Sequence, residues 1–126
     1  MRKRLAAGTV ACSLALAVAV ATPLAGAAPQ HAAASVVHIA ALAKSLKFDT
    51  KALHATAGKV TIVFTNRSHL KHDVRLEIGE KEYGGTKKIG HGTTRVTVTL
   101  KKGKYHFYCS VPGHEGAGMS GYLYVG

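Results

Sequence analysis

One stretch near the end of the chain, Cys109-Ser110-Val111-Pro112-Gly113-His114-Glu115-Gly116-Ala117-Gly118-Met119, sets a thiol, an imidazole and a thioether at the spacing C-x4-H-x4-M. Gly113, Gly116 and Gly118, with Pro112, let so short a segment fold back on itself, so its three donors can converge on one point. Soft and intermediate donors of this kind suit copper. Two His and one Cys in a plane, with a weak axial Met, is the arrangement used for one-electron transfer. Each residue also has a plainer reading: Cys109 as a small core hydrophobe, His114 as a surface residue, Met119 as a filler of core gaps. The three together in one glycine-rich loop favour the metal. The set then lacks one imidazole. His72 is the choice over His69, because it shares parity with Val74, Leu76 and Ile78 on one apolar face, as Cys109 does with Tyr105 and Phe107. His31, His38, His54, His91 and His106 show no partner pattern, and His106 is expected in solvent.

These donors need a frame, and the frame reads as strands. Apolar residues recur with period two at Val60, Ile62 and Phe64, at Val74, Leu76 and Ile78, at Val96, Val98 and Leu100, at Tyr105, Phe107 and Cys109, and at Leu123 and Val125. Weaker strands are expected over Val36–Ala40 and about Lys47–Thr56, with a short helix over Lys51–Ala57 as the alternative. Turns are expected at Ala57-Gly58, Gly84-Gly85, Gly90–Gly92 and Lys102-Gly103. Seven to eight short strands in so short a chain predict an all-β fold, a sandwich or barrel. Asp73 and Ser110 flank two of the donors and would tie their loops together, since outer hydrogen bonds orient metal ligands. Val111 keeps a backbone N–H that could reach the Cys109 sulfur, whereas Pro112 has none.

The chain has 126 residues with 17 Lys+Arg, 6 Asp+Glu and two Cys. That length holds one domain, and 47% apolar residues speak against disorder. Arg2, Lys3 and Arg4, an apolar Ala-rich run from Leu5 to Thr22, and the small residues Ala25-Gly26-Ala27 read as a signal peptide, residues 1–27. The competing readings are a membrane anchor, disfavoured by Pro23 and the cleavage pattern, and a lipoprotein on Cys12, which sits too early in the apolar run. A flexible leader is expected over 28–35 and the copper-binding domain over 36–126. Cleavage after Ala27 removes three basic residues and no acid, leaving a charge of +8. It also removes Cys12, so the exported form carries Cys109 alone, a thiol that must be reactive, intermolecular or metal-bound.

From Lys59 to Val125 the sequence resembles the cupredoxins, the blue-copper proteins of plastocyanin and azurin type. The resemblance rests on Val60–Asn66 leading to His72-Asp73-Val74, on Lys104–Cys109, and on the loop through Met119. It implies a Greek-key β-sandwich of seven to eight strands, with His72, Cys109, His114 and Met119 holding one copper ion. Two features differ from the family pattern: the loop is one residue longer than in azurin before Met119, and Asp73 stands where plastocyanins and azurins carry Asn.

The function expected is an exported mononuclear copper protein that carries single electrons and is not an enzyme. An enzyme would need an open coordination position or a second metal. A thiol enzyme built on Cys109 and His114 leaves Met119 without a role. Copper buffering or delivery uses the same ligands and is the alternative; a metal-free adhesion module is a third reading. The positive charge points to acidic redox partner proteins, and to peripheral association with an anionic envelope surface. Nucleic acid is not expected, for want of an interleaved aromatic platform. The expected state is a monomer in the periplasm or at the cell surface.

Overall fold

The computed structural model describes residues 33–126, together with Gly26. The expected signal peptide and most of the leader lie outside the described residues. Among the described residues, eight strands form two sheets. The first sheet has three strands in the order β1 (Ser35–Ala41), β3 (Gly58–Asn66), β6 (Gly92–Leu100). The second has five, in the order β2 (Ala52–Ala55), β8 (Ser120–Val125), β7 (Gly103–Tyr108), β4 (Arg75–Ile78), β5 (Lys81–Gly85). Pairs β1–β3 and β2–β8 are parallel, the others antiparallel. Sequential strands therefore cross repeatedly between the sheets, and the all-β sandwich expected from the sequence is the fold observed.

The core lies between the two sheets. Val60, Ile62 and Phe64 of β3 face Leu76 of β4, Tyr105 and Phe107 of β7 and Leu123 of β8, all buried. Phe48 fills the gap at one end, edge-on to Phe64 and Phe107 at 6.2 and 5.8 Å between ring centres. Burying a side chain of this kind stabilises the fold by about 1.5–3 kcal/mol. The other parity of each strand carries the polar residues, such as Thr61 and Thr97, whose hydroxyls meet across β3 and β6 at 2.8 Å.

Several local expectations differ from what forms. Over Lys47–Thr56 only Ala52–Ala55 is strand, and the alternative helix does not form. The strand expected to open at His72 opens at Arg75, with His72 held in a single bridge to Ile89. Ile78 shares the core parity of Val74 and Leu76 but is 41% exposed, because the ladder of β4 with β7 stops at Glu77. Gly84-Gly85 is not a turn: both residues belong to β5, whose ladder with β4 is irregular between Leu76 and Glu77. A Cβ on Gly84 would lie 2.9 Å from Val98 Cγ1, and one on Gly85 2.7 Å from the Val74 carbonyl, so these glycines serve close approach.

Candidate metal centre

The site forms where two connections meet at one end of the sandwich. The first runs from β3 to β4. Asn66, buried at the end of β3, donates from Nδ2 to the carbonyls of Leu70 and Ile89 at 2.8 Å, while its Oδ1 accepts from the amide and hydroxyl of Ser68. One amide thus fixes the loop before His72. The His72 backbone then pairs with Ile89 in both directions at 3.0 Å. The second connection leaves β7 at Cys109 and returns at β8. Within it His114–Ala117 makes one helical turn, α1, bracketed by Gly113 at φ 82° and Gly118 at φ 120°. Those left-handed angles require glycine. The Cys109 amide donates to the Met119 carbonyl and the Met119 amide to the His114 carbonyl, each at 3.0 Å, so the loop closes on itself.

His72, Cys109 and His114 come together. The two Nδ1 atoms lie 3.1 Å apart, and the Cys109 sulfur is 3.8 Å from that of His72 and 3.7 Å from that of His114. The point equidistant from all three lies about 2.1 Å from each, the length of a bond from a divalent transition ion to imidazole and close to that to thiolate. The donor set therefore fits a metal without rearrangement. His72, Cys109 and Met119 are buried, and His114 is partly exposed among exposed Pro112, Gly113, Gly116 and Ala117. His72, not His69, lies in this cluster; His69 is exposed and stacks on His91 with ring centres 5.6 Å apart.

Burial dominates the electrostatics. It holds the His72 imidazole below its ordinary pKa, aided by His114 and opposed by Asp73, a shift that favours the neutral ring with its lone pair free. Burial pushes the Cys109 thiol up, and the backbone N–H groups of Asp73 and Val111 pull it back by favouring the thiolate. Ser110 donates to Asp73 twice, from its amide to Oδ1 at 2.7 Å and from its hydroxyl to Oδ2 at 2.6 Å. The tie between the segments that carry His72 and Cys109, and the Val111 donor, both match the sequence reading.

His106 departs from it. Instead of standing free in solvent, it is half-buried, with Nδ1 3.0 Å from Glu77 and Nε2 3.6 Å from Glu115, and it stacks on Tyr108. Glu115 adjoins His114, so His106 links the helical turn to the sheet. Its two partners stand 29 and 9 positions away in the chain, beyond the reach of strand parity.

A sandwich whose ends bring two imidazoles and one thiolate to a common centre, with a methionine closing the same loop, defines the blue-copper class. The chain belongs to the copper binding proteins of the plastocyanin/azurin family, whose model matches residues 35–126. Its cofactor is copper, and the donor set fits a single type 1 site. Among solved structures it is similar to dithionite-reduced auracyanin from Roseiflexus castenholzii, at 24% identity over 73% of this chain and 97% of that one, with a TM-score of 0.69. It is similar to auracyanin A from Chloroflexus aurantiacus, at 24% identity over 74% and 99%, with a TM-score of 0.66. An azurin from Methylomonas sp. strain J gives 19% identity over 73% and 98%, with a TM-score of 0.62. These likenesses concern the fold. No protein of curated function matches the chain.

Proposed function

We propose that this protein is an exported carrier of single electrons, with His72, Cys109 and His114 as equatorial ligands and Met119 as the axial one. The observation that carries the reading is the donor triangle, already at bonding size around its own centre. Bound there, copper supplies a one-electron couple between Cu(I) and Cu(II). The protein's part is to keep its donors still. Asn66 and the Ile89 bridge hold His72, the Asp73–Ser110 tie holds Cys109 to it, and the closed loop holds His114 and Met119. A donor set that need not move when the charge changes lowers the reorganisation that electron transfer requires. Four protein donors leave no open position for a substrate, which supports a carrier over an enzyme.

Members of the family work with redox partner proteins and are typically periplasmic or at the cell surface. For this chain, export is supported by the basic n-region and the Ala25-Gly26-Ala27 site, with residues 1–27 as the signal and 28–35 as a leader. Acidic partners are supported by the charge of +8 that remains. Electrons would pass through the His114 edge, the ligand nearest solvent. Voltammetry of the copper-loaded protein tests the role. A reversible one-electron wave and fast self-exchange are expected; a protein that holds copper but exchanges electrons slowly would be a copper buffer or delivery protein instead.

A further inference from the structure

Met119 is buried, and four backbone groups at and beside it are hydrogen-bonded. Two are its own amide and carbonyl, bonded to His114 and Cys109. The other two are the carbonyls of its chain neighbours, Gly118 in the peptide unit that enters Met119 and Ser120 in the unit beyond the one that leaves it. Both accept hydrogen bonds from one side chain outside the loop: Lys51 Nζ donates to the Gly118 carbonyl and, at 2.9 Å, to the Ser120 carbonyl.

Lys51 is itself anchored. Its carbonyl accepts from the Tyr122 amide at 2.9 Å, immediately before β2 pairs with β8 at Ala52 and Tyr122. A Cβ on Gly121 would lie 2.5 Å from that same carbonyl, so the two backbones meet as closely as glycine allows. The ammonium therefore reaches the carbonyls from a fixed base. Hydrogen bonds from a charged donor are about twice as strong as neutral ones. The Gly118 carbonyl also lies at the C-terminal end of α1, where helical carbonyls lack partners within the helix.

We infer that Lys51 is a positioning residue for the axial thioether: by bridging the carbonyls of Gly118 and Ser120, the residues on either side of Met119, its ammonium fixes where that side chain stands relative to the other donors. This rests on the reading of Met119 as the axial ligand. The axial ligand tunes the site, so a residue that sets its place acts on the metal without touching it. No other side chain of the described residues bonds both flanking carbonyls.

The test uses the full chain and the variants Lys51→Ala, Lys51→Arg and Met119→Leu, each loaded with one equivalent of Cu(II). Circular dichroism confirms that each keeps the sheet signal of the parent. Lys51→Ala is expected to change the electron paramagnetic resonance parameters and the ratio of the visible bands, while Lys51→Arg, which keeps charge and donors, resembles the parent. In the metal-free protein with 13C-methyl methionine, the Met119 methyl resonance is expected to broaden or split in Lys51→Ala and to stay single in Lys51→Arg. A reduction potential that shifts in Lys51→Ala with the spectra and the methyl resonance unchanged would mean a role for charge alone and would overturn the inference. So would no change of any kind. Met119→Leu keeps the two failures apart: if it leaves the copper spectra unaltered, the axial reading is wrong; if it alters them while Lys51→Ala does not, the clamp is wrong.

Discussion

Asp73 and Ser110 are joined by two hydrogen bonds, both carboxylate oxygens accepting from the amide and hydroxyl of the same serine at 2.7 and 2.6 Å. Each residue directly follows a donor, His72 in one case and Cys109 in the other. The pair is therefore a strap between the two connections that build the site, and it sets how far apart the imidazole and the sulfur can drift.

Asp73→Ala should loosen that strap. One charge-assisted hydrogen bond is worth about 1.5–3 kcal/mol, and loss of an outer-shell partner lowers metal affinity about 10–100-fold. Asp73→Asn should be milder, since its oxygen still accepts from the Ser110 amide and its NH2 group donates to the hydroxyl. Urea unfolding of the metal-free proteins and competitive copper titration check both. Equal effects from Ala and Asn would show that the carboxylate's hydrogen bonds are not what matters.

His72 against His69 is a sharp contrast. His72→Ala removes one corner of the donor triangle and should abolish the type 1 paramagnetic signal, while His69→Ala should keep it. The reverse result would assign the ligand to the exposed histidine.

Protons should act on the metal-free protein from both sides. Burial lowers the His72 pKa below its ordinary 6.5, so below that pH the unfolded chain takes up a proton that the folded one refuses. Stability is full above pH 6.5 in this respect and falls as the pH drops toward the lowered folded value. The Cys109 thiol is raised above its ordinary 9.0, so its contribution is full below pH 9.0 and fades as the pH rises toward the folded value. Thermal unfolding against pH should show both limbs, with His72→Gln flattening the acid one and Cys109→Ser the alkaline one. Unchanged limbs in those variants would remove the two residues from the account.

The rim of the site should govern electron exchange without governing the metal. Pro112, Gly113, Gly116 and Ala117 are exposed around partly exposed His114, and Leu70 is 56% exposed in the loop before His72. Ala117→Asp and Leu70→Asp should slow stopped-flow electron transfer with a redox partner while leaving the copper spectrum as it is. Lys101→Glu with Lys102→Glu should mainly reduce the salt dependence of association. Rates that ignore the rim and collapse on changes to a distant face would place the exchange elsewhere.

The cluster of His72, Cys109 and His114 was legible because most of it is local: C-x4-H-x4-M lies in one loop, and parity set His72 on the buried face beside Cys109 although its strand begins three residues later. The core was legible for the same reason, since Tyr105, Phe107 and Cys109 alternate within one segment. What escaped depends on contacts between distant segments. Gly84-Gly85 looks like a turn until Val98 and Val74 are seen to crowd it. The contacts of His106 with Glu77 and Glu115, and the grip of Lys51 on the loop that ends at Met119, join residues that no periodicity connects.

The central claim is that Cys109, as a thiolate in the plane of two imidazoles, binds one copper ion. Visible absorption during titration with Cu(II) tests it most directly. The parent should develop an intense thiolate charge-transfer band that saturates at one equivalent, and Cys109→Ser should show none, because a hydroxyl stays protonated and is too hard a donor to replace the sulfur. A parent that binds copper without colour, or a Cys109→Ser protein that keeps the band, would contradict the account.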